Sequence, residues 1–449
     1  MMRGFPVAAL VFCVAPLVLG MGDGDTTPKE MGFADVLAWA LDHSDMIRAA
    51  QAGTEALLAK VTQAEWAAWP HADGRFIIAP MPSQHGGPGD TTTDYSVWGV
   101  FTQTEVSGWL PLFTFNKIKH LKTAARSGVD VGRAVEEVAR AELRFRLQKA
   151  FFGLSLAREL FATIDEGRGY MTKARKHVEE LEAAEDPSLD PVDKLKLRVA
   201  EAQVKARDLE ARRAMALAEA TIRAVAALPE GQELAFRVGQ PAPVQPLQEL
   251  SLAEMVAKAI EGRPELKALR KGIAAREAEV RLKRVAFFPD LVLGAQFTYA
   301  YSNAWYRTGV DDPTNGYWGR AGLILKWDFE IGRKLSELRE AQANLAKLKA
   351  EEQEAERGVR LEVEKLFREA SDARQLVDTM KDAMDAARGW VIAKIDLYDN
   401  DLAEMSDVTY GLVQFFQSRI DYLKAIHDYN VALAALERSA GLKLIPDVF

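Results

Sequence analysis

The sequence predicts a mainly α protein with membrane β-strands: duplicated long-helix hairpins that wall an α-barrel tunnel, with four transmembrane strands per chain. Three observations predict it. Two stretches of about 70 residues carry heptad-like apolar spacing interleaved with charge, and at 1.5 Å per residue each gives roughly 100 Å of helix. Four shorter stretches alternate apolar and polar residues with a period of two, which marks strands with unlike faces. The whole succession occurs twice. With 48% hydrophobic and 27% charged residues over 449 positions, the chain is neither disordered nor an all-apolar membrane bundle.

The opening MMRGFPVAALVFCVAPLVLGMGDGD has one early Arg3, an apolar run from Phe5 to Leu19 and small residues suited to cleavage. It predicts a signal peptide over residues 1–20 and an exported protein. The only cysteine, Cys13, lies in that run, so the mature chain is expected to form no disulfide. Net charge is −8 without a concentrated basic patch, which excludes an electrostatic footprint for nucleic acid.

The first repeat is assigned to residues 21–228. It opens with an amphipathic helix of about 30 residues that stops at Pro70, followed by a strand around Phe76 and Ile78 and a turn-rich loop, PSQHGGPGDTTTDYS. The next strand, VWGVFTQTEVSGWLPLF, sets Trp98, Val100, Val106 and Leu110 against Gln103, Glu105 and Ser107. A very long helix runs from about Asn116 to Glu185, and a return helix from about Val192 to Ala227. Residues 229–250 read as a proline-rich equatorial connector with one short strand, Leu234 to Val238. The second repeat, residues 251–441, restates the plan, and residues 442–449 form a C-terminal tail. Pro70 and Pro289 stand 219 positions apart, Phe113 and Phe329 216, and Asp193 and Asp407 214, so small insertions account for the drift.

Phe288 to Tyr306 reads as one long strand whose Phe297, Tyr299 and Tyr301 face away from Gln296, Thr298 and Ser302. Its partner sets Leu323, Leu325 and Trp327 against Arg320, Lys326 and Asp328. A charge-laced helical repeat alone describes a plain coiled coil, and one alternating strand alone describes a soluble sandwich. The set of four, greasy on one face and polar on the other with aromatics at the ends, describes outer-membrane barrel hairpins. Four strands close no barrel, and an open edge in lipid leaves backbone groups unsatisfied at several kcal/mol each. The barrel is therefore expected to be shared among several chains.

Chemistry is sparse. The six histidines are scattered without a His-x-x-x-His pair, and neither a Gly-x-Ser-x-Gly elbow nor a phosphate-binding glycine loop occurs. No metal, no cofactor and no enzymatic activity are expected.

The signal peptide, the proline-terminated helix before each first strand, the PLF and WDF segments running into Asn116-Lys117 and Gly332-Arg333, and the duplication together resemble the TolC-like outer-membrane efflux proteins. The resemblance spans about Phe33 to Leu442. It implies a homotrimer whose twelve-stranded barrel sits in outer-membrane lipid, with Phe297, Tyr299, Tyr301, Leu323, Leu325 and Trp327 toward lipid and a tunnel across the periplasm. It also implies a passive exit duct served by a periplasmic adaptor and an inner-membrane transporter, in a tripartite pump or a type I secretion system. In the family an aspartate ring narrows the periplasmic mouth; register places its first member at Asp407 and its second at Tyr410, a departure, with Asp193 as the counterpart in the first repeat. Asp407 and Asp193 equally suit the caps of the returning helices. The adaptor-docking tips fall at Pro187 and Leu189 and at Asp399, Asp401 and Glu404, where Pro187 and Asp401 replace the family's glycines. The competing reading is a periplasmic coiled-coil adaptor or structural protein; two helical hairpins alternating with two strand pairs argue against it.

Overall fold

A computed structural model describes residues 29–87, 90–184, 191–229, 234–246, 250–306, 315–400, 402–403 and 405–447. The expected signal peptide lies outside them. The first repeat comprises β1 (Lys29–Met31), α1 (Phe33–His43), α2 (Asp45–Trp66), β2 (His71–Gly87), β3 (Asp90–Phe113), α3 (Lys117–Ala183) and α4 (Pro191–Ala226). After β4 (Leu234–Phe236), the second comprises α5 (Leu252–Gly262), α6 (Pro264–Val285), β5 (Asp290–Ser302), β6 (Trp305–Tyr306), β7 (Gly316–Lys326), α7 (Ile331–Asp399) and α8 (Met405–Ala440). The long helices have 67 and 69 residues, the return helices 36 each and α2 and α6 22 each, so α2 and α4 stacked end to end run along most of α3, as α6 and α8 do along α7.

Four local readings are corrected. Each opening helix is two helices of 11 and 22 residues, because Ser44 and Arg263 are extended. Arg263 precedes Pro264, whose ring disfavours α geometry in the residue before it and then starts the next helix. The turn-rich stretch after Pro82 is not a long loop, since β2 continues to Gly87 and β3 starts at Asp90, with a register shift at Pro82/Ser83. The strand from Phe288 is shorter than its alternation suggested: β5 ends at Ser302, where the chain crosses β3. Finally, the connector strand β4 pairs in parallel with β1, which the sequence did not signal.

The main sheet has the order β6-β2-β3-β5-β7 and is antiparallel from β2 to β7. β3 and β5 join the repeats at its centre, as α3 joins α6 above the equator and α8 below it. Strand becomes helix at Phe115 and Asn116, both at positive φ (48° and 65°). Asparagine tolerates that region; Phe115 is held there by stacking on Phe288 at 5.0 Å. Lys117 then bonds the Phe288 carbonyl at 2.7 Å and the Asp290 carboxylate at 2.8 Å, pinning one repeat to the other where barrel meets helices.

Each repeat has its own core at the equator. Phe33, Val36, Ile47, Leu147, Phe151, Ile222 and Phe236 fill the first, and Met255, Leu266, Val363, Ile426, Leu433 and Ile445 the second. The two cores meet at Glu437, 4% exposed. One carboxylate oxygen accepts from Arg144 at 2.8 Å and Gln148 at 3.0 Å; the other accepts from the backbone N–H groups of Leu444 at 2.7 Å and Ile445 at 2.5 Å. Arg144 also bonds Asp447. Burial opposes the charge on Asp447, but hydrogen bonds from Lys443 and Arg144 outweigh it and hold that carboxyl below the usual aspartate range. A depressed carboxyl pKa stabilises the fold at neutral pH, and that contribution is lost as pH falls through it. On the lower side of this cluster the connector is lashed to α8: the Asn430 amide donates to Ala242 O and accepts from Val244 N, and Tyr429 donates to Val244 O.

Replacing Glu437 with alanine leaves the buried Leu444 and Ile445 N–H groups without an acceptor and takes from Arg144 one of its two carboxylates, and is expected to cost about 3–5 kcal/mol. Denaturant unfolding of the detergent-solubilised protein measures it, and Glu437→Gln should recover part of the loss.

Candidate functional site

The strands expected in lipid carry one continuous apolar face. Cross-strand register sets Leu293 beside Leu323 and Leu110, Phe297 beside Val106, and Tyr299 beside Tyr317, with Phe76 and Ile78 on the same face of β2. Phe76 is 67% exposed, Leu323 68% and Tyr301 52%, against 2% for Thr298 and 4% for Ser302. Leu325 and Trp327 are exposed on the apolar side with them. On β7 the other face is exposed too, at Trp318 and Ile324, because nothing in the chain flanks that strand. The polar face is cross-linked: Arg320 donates to Gln296 at 2.7 Å, and Gln296 donates to Glu105 at 2.6 Å, a ladder spanning β7, β5 and β3. Among the described residues no helix is long and apolar enough to cross a membrane.

At the far end of the long helices, Asp407 lies in the first turn of α8 and pairs with Lys394 of α7 at 2.8 Å. Sequence reasoning placed a bare acid here; the structure gives it a cation. Tyr410 is exposed and meets the Trp390 ring edge to face at 5.6 Å. Both contacts follow from the antiparallel hairpin, since Lys394 and Asp407, like Trp390 and Tyr410, are equidistant from its turn near Asn400. That reflection was legible in the sequence and was missed. Lys394 and Asp407 are each partly exposed, which limits their pair to about 0–1 kcal/mol. Asp193 stands in the first turn of α4 and Asp399 ends α7, their side chains not described. Pro187, Leu189, Asp401 and Glu404 lie outside the described residues.

Higher up, Arg419 of α8 donates to Glu166 at 2.6 Å and Glu159 at 3.1 Å, both on α3. Below them Phe416 packs against Gly167 and Tyr170. With three partly buried charges this clamp holds the two hairpins together more firmly than the Lys394–Asp407 pair holds one. No local pattern pointed to it, because its partners are more than 250 residues apart.

Residues 255–442 match the family model described as outer membrane efflux protein. The match covers the second repeat. The solved structures similar to the whole chain bear out the mainly helical fold, and together with the family match the TolC-like resemblance. The Campylobacter jejuni CmeC outer membrane channel superposes with a TM-score of 0.74 at 13% identity, covering 92% of this chain and 86% of its own. The outer membrane protein VceC of Vibrio cholerae gives 0.70 at 17%, covering 91% and 96%. The open state of the Neisseria gonorrhoeae MtrE outer membrane channel gives 0.68 at 16%, covering 92% and 89%. Comparison with curated proteins by sequence finds no match. The efflux-protein family thus covers α5 to α8 by sequence, and the same fold extends over the first repeat.

Removing the cation by Lys394→Gln is expected to bare Asp407 and strengthen divalent-cation block about tenfold in planar-bilayer recordings, through the higher local cation concentration. Adding Asp407→Asn should return block to the unmodified level; block that ignores both changes removes Asp407 from the conduction path.

Proposed function

We propose that this chain is an outer-membrane exit duct, a homotrimer that passively conducts cargo delivered by an inner-membrane transporter through a periplasmic adaptor. One observation carries the reading. Every layer of the chain ends on the same two sides: β2, α2 and α4 on one, and β7 and α7 on the other. Two unlike edges meet head to tail, and such contacts generate a ring when the rotation closes.

The edges are unfinished chemically. β2 and β7 each present a row of backbone donors and acceptors that lipid leaves unsatisfied. Exposed apolar side chains recur along both helical edges, at Leu195, Val199, Leu209 and Leu217 on α4 and Leu361, Leu376 and Ile392 on α7. A threefold ring joins four antiparallel strands per copy into twelve and buries both helical stripes. The apolar face then lies in lipid, the Glu105–Gln296–Arg320 ladder lines water, and the helices continue the passage into the periplasm. The ends of α3, α4, α7 and α8 are the surfaces an adaptor reaches, and Lys394–Asp407 is weak enough for it to part. A tripartite pump and a type I system both use this geometry, and the identity of the neighbouring transporter decides between them.

The expected outcome is a heat-modifiable trimer in the outer-membrane fraction that forms conducting pores in planar bilayers. A soluble periplasmic monomer overturns the proposal.

A further inference from the structure

The two sheet edges differ in a way that fixes how they meet. On β2 the edge is free only in its lower part, because β6 of the same chain covers it from Gln84 on: Gln84 pairs with Trp305, His85 with Tyr306, and Gln84 N–H donates to Ala304 O at 2.9 Å. The covering segment is seated firmly. Asn303 Oδ1 accepts from Val100 N–H at 2.7 Å, and a Cβ at Gly99 would collide with Asn303 and Ala304. The free edge therefore runs from His71 to Ser83. β7 spans Gly316 to Lys326, a length that fits within it.

The strands of one chain alternate in direction, so β7 meets β2 of the next copy antiparallel. Only registers differing by two residues keep polar faces together, because a slip of one turns every side chain over. On the polar face β7 carries Trp318, Arg320, Ile324 and Lys326, and β2 carries His71, Asp73, Arg75 and Ile77. Among the described residues neither Lys326 nor Asp73 forms an ion pair within the chain; Lys326 lies over its own Trp109 ring at 5.7 Å.

Resting on the trimeric reading, we infer that β7 pairs with β2 of the neighbouring copy in the register that sets Lys326 opposite Asp73. Gly316 then stands opposite Ser83, the last residue before the edge that β6 covers. On the lipid side Leu323 meets Phe76 and Ala321 meets Ile78. One allowed step upward sets Lys326 against Arg75 and drives Gly316 into the covered edge. One step downward sets Ile324 against Asp73, leaving that carboxylate without a cation. Two steps down set Arg320 against Arg75. The favoured register also carries the row from Asp73 through Ser107, Gln296 and Arg320 on to Ala79 of the next copy, the stagger that closing a barrel of tilted strands requires. The seam is thus a charge-keyed joint with a built-in stop, and its partner is a second copy of this chain.

The chain's one native cysteine, Cys13, lies in the leader, so engineered pairs report alone. Asp73→Cys with Lys326→Cys should oxidise to intersubunit disulfides about five-fold more than His71→Cys or Arg75→Cys with Lys326→Cys, since bridging needs Cα atoms within about 7 Å. Asp73→Lys should destabilise the heat-modifiable trimer, and Asp73→Lys with Lys326→Asp should restore it. A trimer that cross-links preferentially through His71 or Arg75, or that the charge swap fails to restore, overturns the register while the assembly stands. An unmodified chain that is monomeric in the outer membrane overturns both.

Discussion

On the outer-membrane reading proposed above, the structure depends on one constraint: a backbone N–H or C=O in hydrocarbon must find a partner within the protein. Four strands satisfy it between β2 and β7 and violate it at both margins. Everything else along the chain is arranged in step with those margins. The helix before β2 and the helix after β7 occupy the same sides, so the unpaired backbone above continues into unpaired apolar stripes below. Stability of the single chain therefore resides away from its rims, in the β3–β5 ladder, the α3–α6 contact and the paired equatorial cores.

The equator is also where the electrostatics are most costly and best satisfied. Glu437 is removed from water yet accepts four hydrogen bonds, two of them from the backbone of the segment after α8. Burying a carboxylate is tolerable only with this degree of compensation. Toward the helix ends the pairs become exposed and individually weak, and at Asp407 a single lysine suffices. The molecule is thus held rigidly at its middle and loosely at its tip.

Much of this was legible in the sequence because two periods dominate it. A period near 3.5 sustained over 67 and 69 residues admits no alternative to long helices, and the period-two alternation in β5 matched the exposure of its faces residue by residue. The failures have physical causes too. Ser44 breaks a helix without a proline to announce it. Pro82 read as the start of a loop, yet an edge strand tolerates a residue without an N–H. At the site, hairpin symmetry held the Lys394–Asp407 contact, whereas the Arg419 clamp joins residues that only the duplicated fold brings together.

The lashing of the connector to Asn430 has a mechanical consequence. With Ala242 and Val244 bonded to one side-chain amide and Val244 also to Tyr429, α8 is fixed at that level, and a tilt beneath it requires the Arg419 clamp on α3 to release. The 23 residues from Asn430 to Asp407 form a lever of about 35 Å. A tilt of some 10° at the pivot displaces the tip by about 6 Å, roughly the pitch of one helical turn, while the sheet above does not move. The strap turns a small rotation at mid-height into a large displacement at the end.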